Sequence, residues 1–381
     1  MSSSQAGLVQ SGWHVGYVVS LFSAGLLVDR IGARRTLLGM SVAACIASAA
    51  FAALARDAHS ALALYTLAGT FAGGSYTPVL ALISQRFAPA SRGRAMGWFL
   101  ASSSLGYAAG LAASGPLVAW GGWRFSLMVA AAGTLAGTAL AFRLMRGVRD
   151  EPHVHAPAAA QPQSSRMAEV LRNRPAMLVI LAYTFHSWEV LGLWAWLPAF
   201  LGFAAAHGAA VSSATVGLGA LLAGLTHLTS VAGSLAGGAL SDAKGRTAVM
   251  LGMGVASLAC SLAFGWLVAA PLWLLVAIAM VFNLTAIGDS SVYSTALTEL
   301  VPPRILGSAY AVRSVLGFGM GAVSPWVMGL VLDATRAANL SDTMVWGLAW
   351  CALGLGALPG PVMAWRLRRM PESAAMAVGR R

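Results

Sequence analysis

The sequence predicts an all-α integral membrane protein, on the basis of its composition, a series of long apolar runs and an internal repeat. Hydrophobic residues make up 58% of the 381 residues, charged residues only 9%, and the mean hydropathy is +0.74. A soluble domain needs a polar surface that this composition cannot supply. The expected solvent is therefore the bilayer, and the net charge of +12 is attributed to membrane topology, not to nucleic-acid binding.

Eleven apolar runs are each about 20 or more residues long, which is the length that a helix needs to cross a hydrocarbon core of roughly 30 Å. Five lie in the first half of the chain and six in the second. The runs cover residues 7–28, 36–55, 61–87, 93–119, 123–145, 176–203, 214–240, 248–269, 271–300, 305–332 and 345–367. We expect each run to form one membrane span.

A polar stretch between the fifth and sixth runs divides the chain into two halves. We predict a helical bundle over residues 1–146, a linker over 147–174, a second bundle over 175–369 and a tail over 370–381. Within the linker, a serine followed by helix formers at 164–172 predicts a short amphipathic helix on the membrane surface.

A turn rich in glycine and arginine follows the first run and recurs 213 residues later. The distinctive positions of the first copy are Gly25, Asp29, Arg30, Gly32, Arg34 and Arg35. Those of the second copy are Gly238, Asp242, Lys244, Gly245 and Arg246. The chain is therefore a duplicated unit, which suits a transporter because two similar bundles can rock about a central site.

The first copy, Gly-x-x-x-Asp-Arg-x-Gly-x-Arg-Arg, resembles the signature between the second and third helices of major facilitator superfamily transporters. The second copy departs from it at Ala243, where the signature has arginine. The resemblance implies a two-bundle fold of twelve helices and a gating role for both turns. This chain is expected to contain eleven of the twelve, because the repeat places the counterpart of the run 176–203 before Met1.

Basic residues predict the orientation of the chain. Of the 24 Lys and Arg residues, 20 fall in alternate loops, the linker and the tail. The positive-inside rule places these segments, with both glycine-rich turns, on the cytoplasmic side of the cell membrane.

Ionisable residues inside the apolar runs mark the candidate site, because a charge at the bilayer centre costs at least a few kcal/mol. His186 and Glu189 share one face of a helix, and Glu189 lies near the midplane. Asp289 and Arg313 both lie roughly 12 to 15 Å deep on consecutive helices, at about 1.5 Å per residue. An ion pair between them is one interpretation, and a functional role is the other.

In the family that the motif resembles, helices one, four, seven and ten line a central cavity. The resemblance therefore implies that six polar residues lie near this cavity: Tyr76, Thr77, His186, Glu189, Asn283 and Asp289. A carboxyl group without a counter-ion is stable near the midplane when neutral, so we predict that Glu189 carries a proton and His186 relays it.

Other residues in the runs are interpreted as structural. Trp194 and Trp196 are assigned to an interfacial belt, and His14 and His227 to the core.

No nucleotide-binding, catalytic or metal-ligand motif is evident, so we expect neither an enzyme nor a cofactor. We predict a monomeric secondary transporter that moves a small organic anion and uses protons as the coupling ion, by symport or antiport. Two alternatives stay open: efflux of a cationic or amphipathic compound, and a non-transporting membrane scaffold or sensor.

Overall fold

The computed structural model describes residues 1–87, 89–148 and 163–379, and all regular structure in these ranges is helical. The α-helices are α1 (Ser3–Ile31), α2 (Ala33–Leu54), α3 (Ala58–Gly73), α4 (Tyr76–Arg86), α5 (Pro89–Leu144), α6 (Gln163–Arg172), α7 (Arg174–Ala205), α8 (Ser213–Thr226), α9 (Leu228–Lys244), α10 (Arg246–Phe264), α11 (Leu272–Gly288), α12 (Ser290–Leu300), α13 (Pro303–Ala337), α14 (Asp342–Ala357) and α15 (Pro359–Arg368). Short 3₁₀ segments follow at Gly265–Leu267 and Pro371–Gly379. The predicted all-α class is confirmed.

Several runs that were each predicted to form one span are divided into two helices. The run 61–87 is divided at Gly74 and Ser75, and the run 271–300 is divided at Asp289. Ser75 and Asp289 are 214 residues apart, so the duplication extends to the helix breaks. In the described part of the chain, nine helical segments are long and apolar enough to span a membrane. One of them contains two runs, joined through a kink at Gly122 with φ 75° and ψ 176°.

Both glycine-rich turns separate two helices with a single glycine. Gly32 lies between α1 and α2 with φ 91°, and Gly245 lies between α9 and α10 with φ 96°. A positive φ is accessible to glycine at little cost and strains other residues. The two turns therefore share a backbone conformation that explains why glycine occupies this position in both copies.

Helix α7 is the centre of the second half. Its most apolar 18-residue window is 78% buried, against 17% for the corresponding window within residues 102–144. Phe200 of α7 packs against Phe264 and Trp350, at ring-centroid distances of 4.7 and 5.5 Å. The side chains that α7 carries are consequently held in fixed positions by the helices around it.

The predicted linker helix is present as α6. Val170 on its apolar face is fully buried, and Glu169 accepts hydrogen bonds of 2.5 Å from both terminal nitrogens of Arg304. This guanidinium lowers the pKa of the Glu169 carboxyl group below its usual value. The pair is therefore intact above the ordinary carboxyl range and is lost only as the pH falls through the lowered pKa.

The two halves pack tightly on the side opposite the glycine-rich turns, which we call the far side; the side of the turns is the motif side. A Cβ atom added to Gly217 of α8 would lie 2.4 Å from the carbonyl oxygen of Gly115 in α5. After the break at His227 the chain continues toward the motif side as α9, whose Leu228 and Leu235 are 49% and 69% exposed. The structure is thus closed on the far side and open on the motif side.

Replacing Gly115 with alanine is expected to favour the conformation that is open on the far side. The new methyl group would lie 2.5 Å from the Gly217 carbonyl oxygen, and overpacking of this kind costs about 1–3 kcal/mol. In a variant whose native cysteines are serine, an impermeant maleimide added from the far side should label Ser11→Cys at least about fivefold faster.

Gly110→Ala is the matched control on the same helix, because a Cβ atom there meets no described atom within 4 Å. Equal labelling rates in the two alanine variants would contradict the assignment of this contact to far-side closure.

Candidate functional site

Arg313 of α13 is surrounded by tyrosine and serine side chains. Its guanidinium lies over the rings of Tyr183 and Tyr310, at 4.4 and 5.0 Å from their centroids. Its Nη1 donates a hydrogen bond of 2.5 Å to Ser294 Oγ. The Nε atom is buried and has no hydrogen-bond partner among the described residues. The cation is thus held by ring faces and one hydroxyl, with one donor unused.

The first half of the chain reaches the same place through Tyr76 and Tyr17. Tyr17 of α1 packs against Phe318 of α13, with 5.2 Å between the ring centroids, and the phenol of Tyr76 lies near the Arg313 cation. Tyr76 is the first residue of α4, directly after the helix break, and Thr77 follows it half-buried in the same turn. Arg313 and the four tyrosines together are called the arginine site.

Of the two interpretations of Asp289 and Arg313, the one that pairs them with each other is wrong. Among the described residues no carboxylate lies within ion-pair distance of Arg313, and Asp289 instead pairs with His186. A guanidinium is a fork of donors that matches a carboxylate or phosphate. With a free Nε and no carboxylate partner in this part of the chain, the arginine site is suited to an anion.

His186, Glu189 and Asp289 are buried inside the second half and are called the acid cluster. His186 Nδ1 is 3.1 Å from Asp289 Oδ1, and its Nε2 is 2.7 Å from Ser290 Oγ. The hydroxyl of Tyr293 donates to Asp289 Oδ2 at 2.8 Å. Asp289 occupies the break between α11 and α12, which turns its side chain toward α7.

Glu189 points away from the space between the halves, toward α10. Its two carboxylate oxygens accept hydrogen bonds of 2.6 Å from Ser257 and Ser261. A small cavity separates Glu189 from Asp289, so both face the same internal space. This differs from the predicted position at the central cavity. The two serines were missed because hydroxyl residues are ordinary in apolar helices, and their spacing of four was the only signal.

Tyr183 connects the two sites. Its ring centroid is 5.7 Å from that of His186 and 5.9 Å from that of Tyr293, and the Arg313 guanidinium lies over the same ring. The acid cluster and the Arg313 guanidinium are therefore separated by the Tyr183 ring. Within the described residues no group of three His, Cys, Asp or Glu side chains is placed to hold a metal ion.

Asn283, a predicted site residue, is fully buried and joins three helices. Its Nδ2 donates to Thr226 Oγ1 at 3.0 Å, and its Oδ1 accepts from Trp194 Nε1 at 3.3 Å. Trp194 stacks on Tyr107 of the first half at 5.0 Å, and His227 meets both rings. The assignment of Trp194 to an interfacial belt is wrong, because the ring lies where the halves meet.

Two further structural assignments have different outcomes. Trp196 is 8% exposed and donates to the Pro325 carbonyl oxygen at 2.9 Å, so it is not an interfacial residue either. The core role of His14 is confirmed, since its Nδ1 lies 3.0 Å from the carbonyl oxygen of Gln10 and the residue is buried.

In the second glycine-rich turn, Arg246 joins the ends of three helices. It is buried, contacts Asp242, and donates to Ser241 Oγ at 2.7 Å and to Glu299 Oε1 at 3.0 Å. Lys244 beside it is exposed. Sequence reasoning missed Glu299, which is the penultimate residue of α12 and of the predicted run 271–300.

In the first turn, Asp29, Arg30 and Arg35 are exposed, and Arg34 is half-buried with its guanidinium 5.7 Å from the Phe142 ring centroid. The Asp29 side chain therefore lies at the open motif side, at the end of α1. The structure places Gly25 half-buried in the last turns of the same helix, and Gly238 likewise in α9.

Known proteins resemble the chain over most of its length. A family model described as the Major Facilitator Superfamily matches residues 1–325. The hexuronate transporter of Bacillus subtilis is 24% identical over 368 residues, which cover 92% of this chain and 84% of the relative. The probable anion transporter 4, chloroplastic, of Arabidopsis thaliana is 25% identical over 222 residues, covering 52% of this chain and 41% of the relative. The crystal structure of the nucleoside transporter NupG has the same fold, with a TM-score of 0.72 at 15% identity over 97% of this chain and 91% of that one.

Proposed function

Because the chain belongs to the Major Facilitator Superfamily, we propose that it is a secondary transporter in which Arg313 binds a small organic anion. The observation that carries this proposal is a half-buried guanidinium with an unused Nε donor and no carboxylate partner among the described residues. Burying such a cation is costly unless an anion pairs with it. Two relatives are named as hexuronate and anion transporters, which agrees with anionic cargo.

The anion enters from the motif side, which is the cytoplasmic side by the distribution of basic residues. It pairs with Arg313 through charge-assisted hydrogen bonds, and the phenols of Tyr76 and Tyr17 supply contacts from the other half. Contact with both halves makes closure of the motif side favourable. The far side then opens, and the site is exposed alternately to the two faces of the membrane.

Protons drive this cycle through Glu189. Its carboxyl group is 4% exposed, is held by two serine hydroxyls, and lies beside the cavity that also borders Asp289 and His186. His186 shares the proton because it is already paired with Asp289. Tyr183 places this acid cluster next to the anion site.

The charge class of the substrate is tested with purified protein in liposomes. Uptake is measured for galacturonate, for uncharged galactose of similar shape, and for the lipophilic cation tetraphenylphosphonium. Saturable transport of the galacturonate and not of the two others is expected. Transport of the cation alone would overturn the anion proposal in favour of cation efflux, and absence of flux for every anion of a wider panel would favour a scaffold.

Asp29 acts as a latch on the motif side. At the end of α1 its carboxylate accepts hydrogen bonds from the amino end of α13 when the motif side closes, and Arg30 or Arg34 holds it there. Asp29→Asn is therefore expected to favour the conformation open on the motif side. Labelling of Leu235→Cys from that side should become faster; an unchanged labelling rate together with unaltered transport would remove the latch assignment.

A further inference from the structure

We propose that Asp333 and the amino end of α1 form a far-side lock that holds the transporter closed on that face. Asp333 lies near the far-side end of α13, in the second half of the chain. Its Oδ1 accepts a hydrogen bond from the backbone N–H of Ser3 at 2.8 Å, and its Oδ2 accepts one from Ser4 at 2.7 Å. One carboxylate thus caps a helix of the opposite half with both oxygens.

The first four N–H groups of a helix lack partners within the helix. In α1 these are the N–H groups of Ser2 to Gln5, and two of them are satisfied locally: Ser2 donates to the side chain of Gln5, and Gln5 donates to the side chain of Ser2. The remaining two N–H groups, those of Ser3 and Ser4, donate their hydrogen bonds to the Asp333 carboxylate. The amino end of α1 is therefore fully satisfied only while α13 lies against it.

The surrounding contacts belong to the same interface. Arg336, one turn after Asp333, donates a hydrogen bond of 2.6 Å to Ser3 Oγ. Further along the two helices, a Cβ atom on Gly7 would lie 2.2 Å from the Pro325 carbonyl oxygen, so the backbones are in direct contact. A negative side chain at the positive end of the α1 dipole adds an electrostatic attraction.

The lock is the counterpart of the Asp29 latch proposed above. Helices α1 and α13 come from opposite halves and pack side by side in antiparallel directions, so that on the far side the start of α1 lies against the last turns of α13. Asp29 at the end of α1 caps the start of α13, and Asp333 near the end of α13 caps the start of α1. Because rocking separates one end as it closes the other, the two caps alternate. Each stabilises one of the two states.

Asp333→Asn tests the lock, because asparagine keeps the shape but removes the charge and sets an amide donor against one of the N–H groups. With the native cysteines replaced by serine, Ser11→Cys reports far-side opening: it is buried on α1 one turn after Gly7. Leu235→Cys reports the motif side. Asp333→Asn is expected to raise far-side labelling about tenfold or more and to lower labelling of Leu235→Cys.

Asp342→Asn is the matched control, since Asp342 is an exposed acid in the first turn of α14 that follows the same end of α13. It should leave both labelling rates unchanged. Arg336→Gln should shift them in the same direction as Asp333→Asn but less. The double variant Asp29→Asn with Asp333→Asn should return toward the native ratio, because the two changes favour opposite states.

The lock is refuted if Asp333→Asn leaves both rates within about twofold of the parent, or if Asp342→Asn has the same effect. Faster labelling of both reporters would also refute it, because that outcome indicates general loosening and not a change of state. No substrate is used, so the result is independent of whether the anion proposal holds.

Discussion

Replacing Arg313 with glutamine is expected to lower anion uptake at low substrate concentration by on the order of a hundredfold. The guanidinium supplies the charge and at least two donors, and a hydrogen bond to a charged partner contributes about 1.5–3 kcal/mol. Lysine keeps the charge but loses the planar fork, so Arg313→Lys should retain part of the affinity. Initial rates of galacturonate uptake into proteoliposomes, measured over a range of concentrations, distinguish the two variants.

Arg304→Gln is the matched control, since Arg304 is on the same helix and pairs with Glu169 of α6 at the start of α13, away from the arginine site. It should leave galacturonate uptake unchanged. If Arg313→Gln and Arg304→Gln transport equally well, Arg313 does not bind the anion. If Arg313→Gln instead abolishes insertion into the membrane, the ring contacts of Tyr183 and Tyr310 are structural, and Arg313→Lys decides between the two roles.

Much of the architecture is predictable because apolar length, turn chemistry and duplication act locally along the chain. Every predicted run is helical, and Gly32 and Gly245 adopt the same positive φ in the two repeats. What the runs do not reveal is where a helix breaks. An interruption at Gly74 or at Asp289 changes few residues and keeps the segment apolar, so the pattern of a single span survives.

In the candidate site, the depth of a residue along its helix is predictable from the sequence, but the direction of its side chain is not. Counting residues placed Asp289 and Arg313 at similar depth, but the partner of each depends on rotation about the helix axis. The break at Asp289 turns its carboxylate to His186, and Arg313 faces tyrosines. Rotation is set by tertiary packing, which leaves no local signal, so similar depth kept an ion pair between these two residues open although each faces another partner.

The buried carboxylate Glu189 gives the second large expected effect. Glu189→Gln should abolish accumulation driven by a proton gradient and leave exchange of substrate across the membrane largely intact. Glutamine has nearly the same shape and can still bond to Ser257 and Ser261, but it cannot take up or release a proton. The anion site, one aromatic ring away, keeps its geometry. Binding and the rocking of the two halves therefore survive while the driving force is lost.

The measurement compares two assays on the same proteoliposomes: galacturonate accumulation under an imposed pH gradient, and counterflow of labelled substrate without a gradient. Glu169→Gln is the matched control at the membrane surface and should be normal in both assays. A purely structural role for Glu189 predicts that the two activities fall together with the amount of folded protein, or survive together. Normal gradient-driven accumulation by Glu189→Gln would exclude Glu189 as the proton carrier. The same pair of assays on Asp289→Asn would then decide whether Asp289 carries the proton, because Asp289 pairs with His186 and also borders the cavity.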